Sequence, residues 1–214
     1  MDRSGKIRLL FAGICFVLFA WLMCIMVEKG QENSAVYLES EPVVVQEDEG
    51  KKIMYLTFDD GPSQNTQAVL DILEEYDAKA TFFVTAEFSD YLHLIRAEKE
   101  AGHAIGVHTY SHRYDQIYAD SASYWDDVEK MQKIIEEQCG SRTSILRFPG
   151  GTSNTISQRY AQGIMSQLAE EAEQKQYAYY DWNATNGDGD TSLSAQQLVE
   201  QAKREIGEQP VVML

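Results

Sequence analysis

The sequence predicts an α/β protein built on a parallel sheet, and three observations carry that prediction. From residue 51 onward, short apolar segments alternate with helical patterns of about 12 to 20 residues, the rhythm of βαβ units. The apolar segments lack clean in–out alternation, as expected of strands covered on both faces. Polar clusters stand at the C-terminal ends of several of them, and parallel α/β folds gather those ends, with their sites, on one face. An open doubly wound sheet and a barrel both satisfy this pattern.

Each element has its own signal. "KIMYLTF" (52–58) is apolar, aromatic and β-branched, a buried strand. "QNTQAVLDILEEYD" (64–77) places Val69, Ile72, Leu73 and Tyr76 at helical spacing and predicts one helix face. "ATFFVTA" is a second strand, and "YLHLIRAEKEAG" a helix ending at Gly102. "HAIGVH" is a third strand, "SYWDDVEKMQKIIEEQCG" an amphipathic helix closing on Gly140, and "TSILRF" a fourth strand. "SQRYAQGIMSQLAEEAEQKQ" reads as one helix, "YAYYDW" as a fifth strand, "SAQQLVEQAKREIG" as a last helix, and "PVVML" as a strand beginning.

The N-terminus departs from this rhythm. Residues 9–27, "LLFAGICFVLFAWLMCIMV", carry no charge, and nineteen helical residues span about 28 Å, close to the thickness of a bilayer's hydrocarbon. Arg3, Lys6 and Arg8 precede them, so residues 1–8 form a cytoplasmic stub and the remainder faces outward. A cleaved signal peptide is the competing reading. "EKGQENSA" is a poor cleavage site, which favours an uncleaved anchor. Residues 28–50, acidic and without periodicity, form a linker, and 51–214 form the domain. Cys15 and Cys24 lie in the apolar segment and leave Cys139 alone, unable to form an internal disulfide. With 34 acidic against 18 basic residues and a net charge of −16, the chain repels phosphate backbones, which excludes nucleic acid as a partner.

The polar clusters carry the chemistry. In "HTYSH", His108 and His112 are four residues apart; on a helical turn their Cβ atoms would lie roughly 5–6 Å apart and serve one metal ion. A carboxylate from another strand end completes a two-histidine, one-carboxylate set with open positions for water and substrate. "TFDDGP" supplies it. Adjacent residues leaving a strand point different ways, so one aspartate binds metal and the other takes a proton. Alone, "DDGP" reads as a turn; beside the histidine pair it reads as chemistry.

"TFDDGP", "HTYSH", "RFPGG" and "DW" resemble, in order and spacing, the motifs of the polysaccharide deacetylases, the NodB-homology family or carbohydrate esterase family 4. The resemblance covers residues 53 to 214. It implies a distorted (β/α) barrel and metal-dependent removal of N- or O-acetyl groups from a glycan. It implies further that Asp59 is the catalytic base, that Arg147 holds it ionised, and that Asp60, His108 and His112 bind zinc or another divalent transition metal. By the same resemblance Gly150 offers an oxyanion-binding N–H, Trp182 walls the acetyl pocket, and Asp181 orients a catalytic histidine. Tyr110 and Ser111 shape the loop between the ligands. His93 and His103 have no site role, and "NGDGD" (186–190) reads as a solvated loop rather than a calcium site.

One departure stands out. The family's fifth motif carries the histidine that protonates the leaving amine, and "VVML" halts at Leu214 before any such residue. A barrel truncated there would expose strand edges and core. The expectation is therefore a fragment of a membrane-anchored, extracytoplasmic deacetylase of acetylated cell-wall glycan, with peptidoglycan favoured and no protein partner inferred. The alternative is a catalytically silent glycan- or metal-binding remnant.

Overall fold

The computed structural model describes residues 53–206 and 211–214. Six strands form one parallel sheet: β1 (Met54–Asp59), β2 (Ala80–Val84), β3 (Ala104–Val107), β4 (Ile145–Leu146), β5 (Ala178–Tyr179) and β6 (Val211–Met213). Their order is β5-β4-β3-β2-β1-β6. This is a parallel-strand α/β half-barrel. Segments 1–8, 9–27 and 28–50 lie outside the described residues, and among the described residues no helix is long and apolar enough to cross a membrane.

β2 and β3 lie inside the sheet with side chains buried on both faces, whereas β1, expected as a buried strand, leaves Met54 and Tyr55 exposed at its start. Phe82, Phe83, Val84, Ile105 and Val107 are all buried, each large side chain contributing about 1.5–3 kcal/mol. Gly106 is dictated by packing, since a Cβ there would meet the Phe83 ring at 2.5 Å. The helices α1 (Thr66–Glu75), α2 (Leu94–Glu100), α3 (Tyr114–Ile117), α4 (Ser121–Cys139), α5 (Ile164–Gln174) and α6 (Ala195–Glu205) connect the strands. Asp120 caps α4 by accepting from Ser123 N–H at 2.7 Å. That helix buries Tyr124, Val128, Met131 and Ile135, one stripe at helical spacing. A reciprocal capping box between Ser194 and Gln197 starts α6.

The structure corrects several expectations. On α1 the buried side chains are Thr66, Leu70 and Leu73, whereas Ile72 and Tyr76 are 56 % and 73 % exposed. The helix is rotated so that Leu70, not Ile72, meets the sheet. The single helix expected over 157–176 is two pieces, a 3₁₀ turn (Ile156–Arg159) and α5, parted at Gly163 with φ 78°, a conformation costly to residues with a Cβ. The fourth and fifth strands are two residues each, because the flanking residues turn away to build the site.

The expected open edge is also absent from β6. On one side β6 pairs with β1 through Met54↔Val211 to Leu56↔Met213. On the other, Asn183 and Ala184 N–H groups donate to Val212 O at 3.2 Å, and Leu214 N–H donates to Ala184 O at 3.0 Å. Since β5 itself pairs with β4, residues 178–186 reach from one edge of the sheet to the other. Ala184, Val211 and Met213 form a small second core there.

Candidate active site

At the end of β1, Asp59 points inward with a side chain 10 % exposed, while Asp60 points outward at 54 %. Asp60 adopts φ 64°, the left-handed region, as the chain leaves the strand. β3 delivers His108, which is buried. Residues 108–112 are not a helical turn as the spacing suggested. Thr109 has φ 76° and His112 φ 52°, values rare for side chains with a Cβ and unusual for a β-branched one. Asp127 of α4 holds this loop by accepting from Tyr110 N–H at 2.6 Å and Ser111 N–H at 3.0 Å. The Thr109 hydroxyl accepts from His112 N–H at 3.2 Å.

The loop brings the histidine rings to 5.2 Å between centroids. Asp60 Oδ1 lies 3.3 Å from His112 Nε2 and 3.6 Å from His108 Nε2. One ligand atom from each of the three residues falls within 4.8 Å of the others, a set that could hold a metal ion. The chemistry of the set fits. His108 Nδ1 lies 2.9 Å from Arg147 O, a carbonyl that can only accept. The proton therefore sits on Nδ1 and leaves Nε2 a bare lone pair facing Asp60. Burial pushes the His108 imidazole well below its ordinary range, opposed by Asp60, so the ring is neutral as a ligand must be.

Behind this set lies Arg147, fully buried. Its Nη1 donates to Asp59 Oδ1 and to the Thr57 hydroxyl, both at 2.8 Å, Nε donates to Tyr180 O at 2.8 Å, and Nη2 to Asp181 O at 3.3 Å. The guanidinium also stacks 4.2 Å from the Phe83 ring. Thr57 passes the chain of bonds on to Met213 O at 2.8 Å. Arg147 favours the ionised form of Asp59, as the resemblance implied, but it acts against burial. Burial outweighs the guanidinium and pushes the Asp59 carboxyl up to about 6, still below neutrality.

Asp59, Asp60, His108, His112, Gly150 and Trp182 line one cavity of about 820 Å³. Asp181 does not line it. Both its oxygens accept from Thr152 N–H, at 3.0 and 3.2 Å, and Oδ2 also accepts the Thr152 hydroxyl. Among the described residues it contacts no histidine, so its place here is to pin the "PGG" loop. His93 is exposed and turned to Asp90 O. His103 is buried, with Nδ1 accepting from Ala80 N–H, so both stand away from the cavity. Residues 186–190, a loop exposed at 188–190 as expected, also line it, and Asp188 borders a second cavity of about 600 Å³ that shares Asp59 and Asp60 and is lined by Phe88 and Tyr91 as well.

Thr57, Asp127, Thr152 and Tyr114 went unread in the sequence. Of these only Asp127 had a signal, since it falls on the apolar stripe of α4 beside Tyr124 and Val128.

Comparisons place this geometry among known proteins. The sequence model of the polysaccharide deacetylase family matches residues 46–167. A crystal structure of the catalytic domain of peptidoglycan N-acetylglucosamine deacetylase from Eubacterium rectale is 43 % identical, with a TM-score of 0.76, covering 78 % of this chain and 77 % of that one. A polysaccharide deacetylase structure from Bacillus cereus is 26 % identical, with a TM-score of 0.66, covering 77 % and 78 %. A peptidoglycan-N-acetylglucosamine deacetylase of Bacillus cereus is 29 % identical over 133 residues, 62 % of this chain and 45 % of that protein. The chain spans less than half the length of the curated relatives it matches.

Proposed function

Because the chain belongs to the polysaccharide deacetylase family, we propose that it is a metal-dependent hydrolase that removes N-acetyl groups from the amino sugars of a cell-wall glycan, peptidoglycan first among them. The observation that carries this reading is the pairing of Asp59 with Arg147 immediately beside the Asp60, His108 and His112 set. Arg147 occupies Asp59 Oδ1, and Oδ2 stays free, 3.7 Å from His108 Nε2. A base and a metal-binding set thus face one cavity.

Asp60, His108 and His112 would hold the ion, with zinc the expected metal. When bound, a divalent ion there polarises the acetyl carbonyl and acidifies water. The chain's own residues do the remaining work. Asp59 accepts the proton of the attacking water at Oδ2, while Arg147 keeps the carboxylate from turning. Gly150 lines the cavity and its N–H donates to no partner among the described residues, which leaves it available to the acetyl oxygen as negative charge develops. Trp182 walls the pocket on the far side. The second cavity, which shares Asp59, Asp60 and Asp188 with the first, would take a neighbouring unit of a polymer beside the reacting one.

The proposed setting is the outer face of a cell membrane, with residues 9–27 as anchor, 28–50 as linker and 51–214 as the catalytic domain. Protease treatment of intact cells should remove the domain; a protected domain would reverse the topology. The rival reading, a silent glycan- or metal-binding module, draws on Asp181, whose carboxylate is taken by Thr152. Acetate release from N-acetylglucosamine oligomers and from peptidoglycan decides between them. The enzyme reading expects release that a chelator abolishes and that Asp59→Asn eliminates. Binding of the same glycans without any acetate release would establish the module instead.

A further inference from the structure

Tyr114 belongs to no motif read in the sequence, yet it lines the cavity and its hydroxyl lies against Gly150. It is the first residue of α3, two residues past His112. Its ring is clamped on both sides, edge-to-face with His112 at 5.5 Å and with Tyr118 at 5.4 Å. Tyr118 is itself fixed by donating to Pro149 O at 2.7 Å. Packing thus holds the ring in one orientation. The hydroxyl points at Gly150: a Cβ on residue 150 would lie 2.7 Å from Tyr114 Oη. Glycine at 150 is required by this approach as well as by its φ of 77°.

No hydrogen bond engages the Tyr114 hydroxyl among the described residues, although the side chain is half-buried and lines the cavity. The Gly150 N–H beside it is equally unengaged. Half-buried tyrosines ordinarily find a partner for their O–H, so two idle donors side by side in a site facing a metal-binding set mark a place where an acceptor belongs. We propose that Tyr114 is a catalytic residue whose O–H donates, together with the Gly150 N–H, to the acetyl oxygen. This rests on the deacetylase reading above. No covalent bond is made to the tyrosine; the phenol keeps its proton and contributes a dipole that is already oriented before charge develops on the oxygen.

The test is Tyr114→Phe in the full chain, which keeps the ring and its contacts with His112 and Tyr118. Loss of one such donor costs about 10²-fold in kcat, with KM within about twofold, because the bond strengthens as the oxygen gains charge. Zinc content and thermal midpoint should match the parent, which a packing role would not predict. Unchanged kcat, or a fall in kcat explained by lost zinc or a lower midpoint, overturns the proposal. Acetate, the product, gives a readout free of turnover. Calorimetry should show Tyr114→Phe binding acetate several-fold more weakly than the parent, and equal affinity overturns the donor role. If the parent releases no acetate from any N-acetylated glycan, the deacetylase reading fails, and the acetate titration still decides whether Tyr114 is a donor. Gly150→Ala supplies a cross-check. Its penalty should be smaller in the Tyr114→Phe background, where the clashing oxygen is gone; equal penalties in both backgrounds count against the contact.

Discussion

Glu98 lies on α2 with a side chain that is 0 % exposed, and neither carboxylate oxygen has a hydrogen-bond partner among the described residues. Burial pushes its carboxyl up from 4.5 to about 8. Below pH 4.5 the group is protonated in both the folded and the unfolded chain and stability is unaffected. Between 4.5 and 8 the unfolded chain sheds the proton while the folded chain keeps it, so stability falls as pH rises, by about 1.4 kcal/mol per pH unit. Across that window the loss is at most about 5 kcal/mol, and it levels off above pH 8. That is a large share of the roughly 5–15 kcal/mol that holds a domain folded. The neighbouring Cys139 thiol, pushed up to about 11 by burial, with Lys99 opposing and Glu98 adding to the rise, does not titrate in the window. Glu98→Gln keeps the shape and removes the charge at every pH. Urea denaturation of parent and variant from pH 5 to pH 9 should give curves that converge at the acid end and diverge steadily toward pH 8, the variant being the more stable. Parallel curves would refute the reasoning and mean that water or a partner solvates the carboxylate.

Three further outcomes follow from the site and the sheet. Arg147→Lys cannot reproduce the fork that reaches Asp59, Thr57, Tyr180 and Asp181; we expect a stability loss of about 3–5 kcal/mol by denaturation, as for a broken buried pair, together with loss of acetate release. Zinc at about 100 times its dissociation constant should stabilise the parent by about 2.7 kcal/mol in thermal unfolding, and His112→Ala should abolish that increment while leaving the metal-free protein nearly unchanged. Gly106→Ala sets a Cβ 2.5 Å from the Phe83 ring and should destabilise by about 1–3 kcal/mol through overpacking; an unchanged unfolding midpoint would mean that β2 and β3 can separate at no cost.

The sheet was legible where burial on both faces leaves an uninterrupted apolar run, as in β2 and β3; β1 has the same apolar run yet leaves Met54 and Tyr55 exposed. It was least legible at β4 and β5, where residues that look like strand carry the site instead: Arg147 and Asp181 sit one and two residues past their ladders. The divergence of the two aspartates in "DDGP" was legible because adjacent side chains leaving a strand must point different ways, and Asp59 and Asp60 do point inward and outward. The loop of "HTYSH" was not, because its shape comes from Asp127, seventeen and sixteen positions from the N–H groups it holds. A second Asp-Asp pair hid that role. Asp126 faces solvent and pairs with Lys130, while its neighbour turns inward, and charge alone does not distinguish them. Tyr114 was unreadable for another reason. Its importance lies in the absence of a side chain at residue 150, and only the fold brings the two together.

The bonds that residues 178–186 make to both β4 and β6 have a consequence in time. β1 finds β2 early, within about a score of residues, but its other neighbour is β6, and Thr57 and Met213 are 156 positions apart. Contacts at such separations close late, since the intervening chain must first be ordered. The stretch carrying Asp181 and Trp182 can settle against β6 only after that closure. On that ordering the wall that Trp182 and residues 185–190 give the cavity is complete only once β6 has docked on β1. A chain in which only β1 to β4 had formed would bring Asp60, His108 and His112 together before Trp182 could wall the cavity beside them.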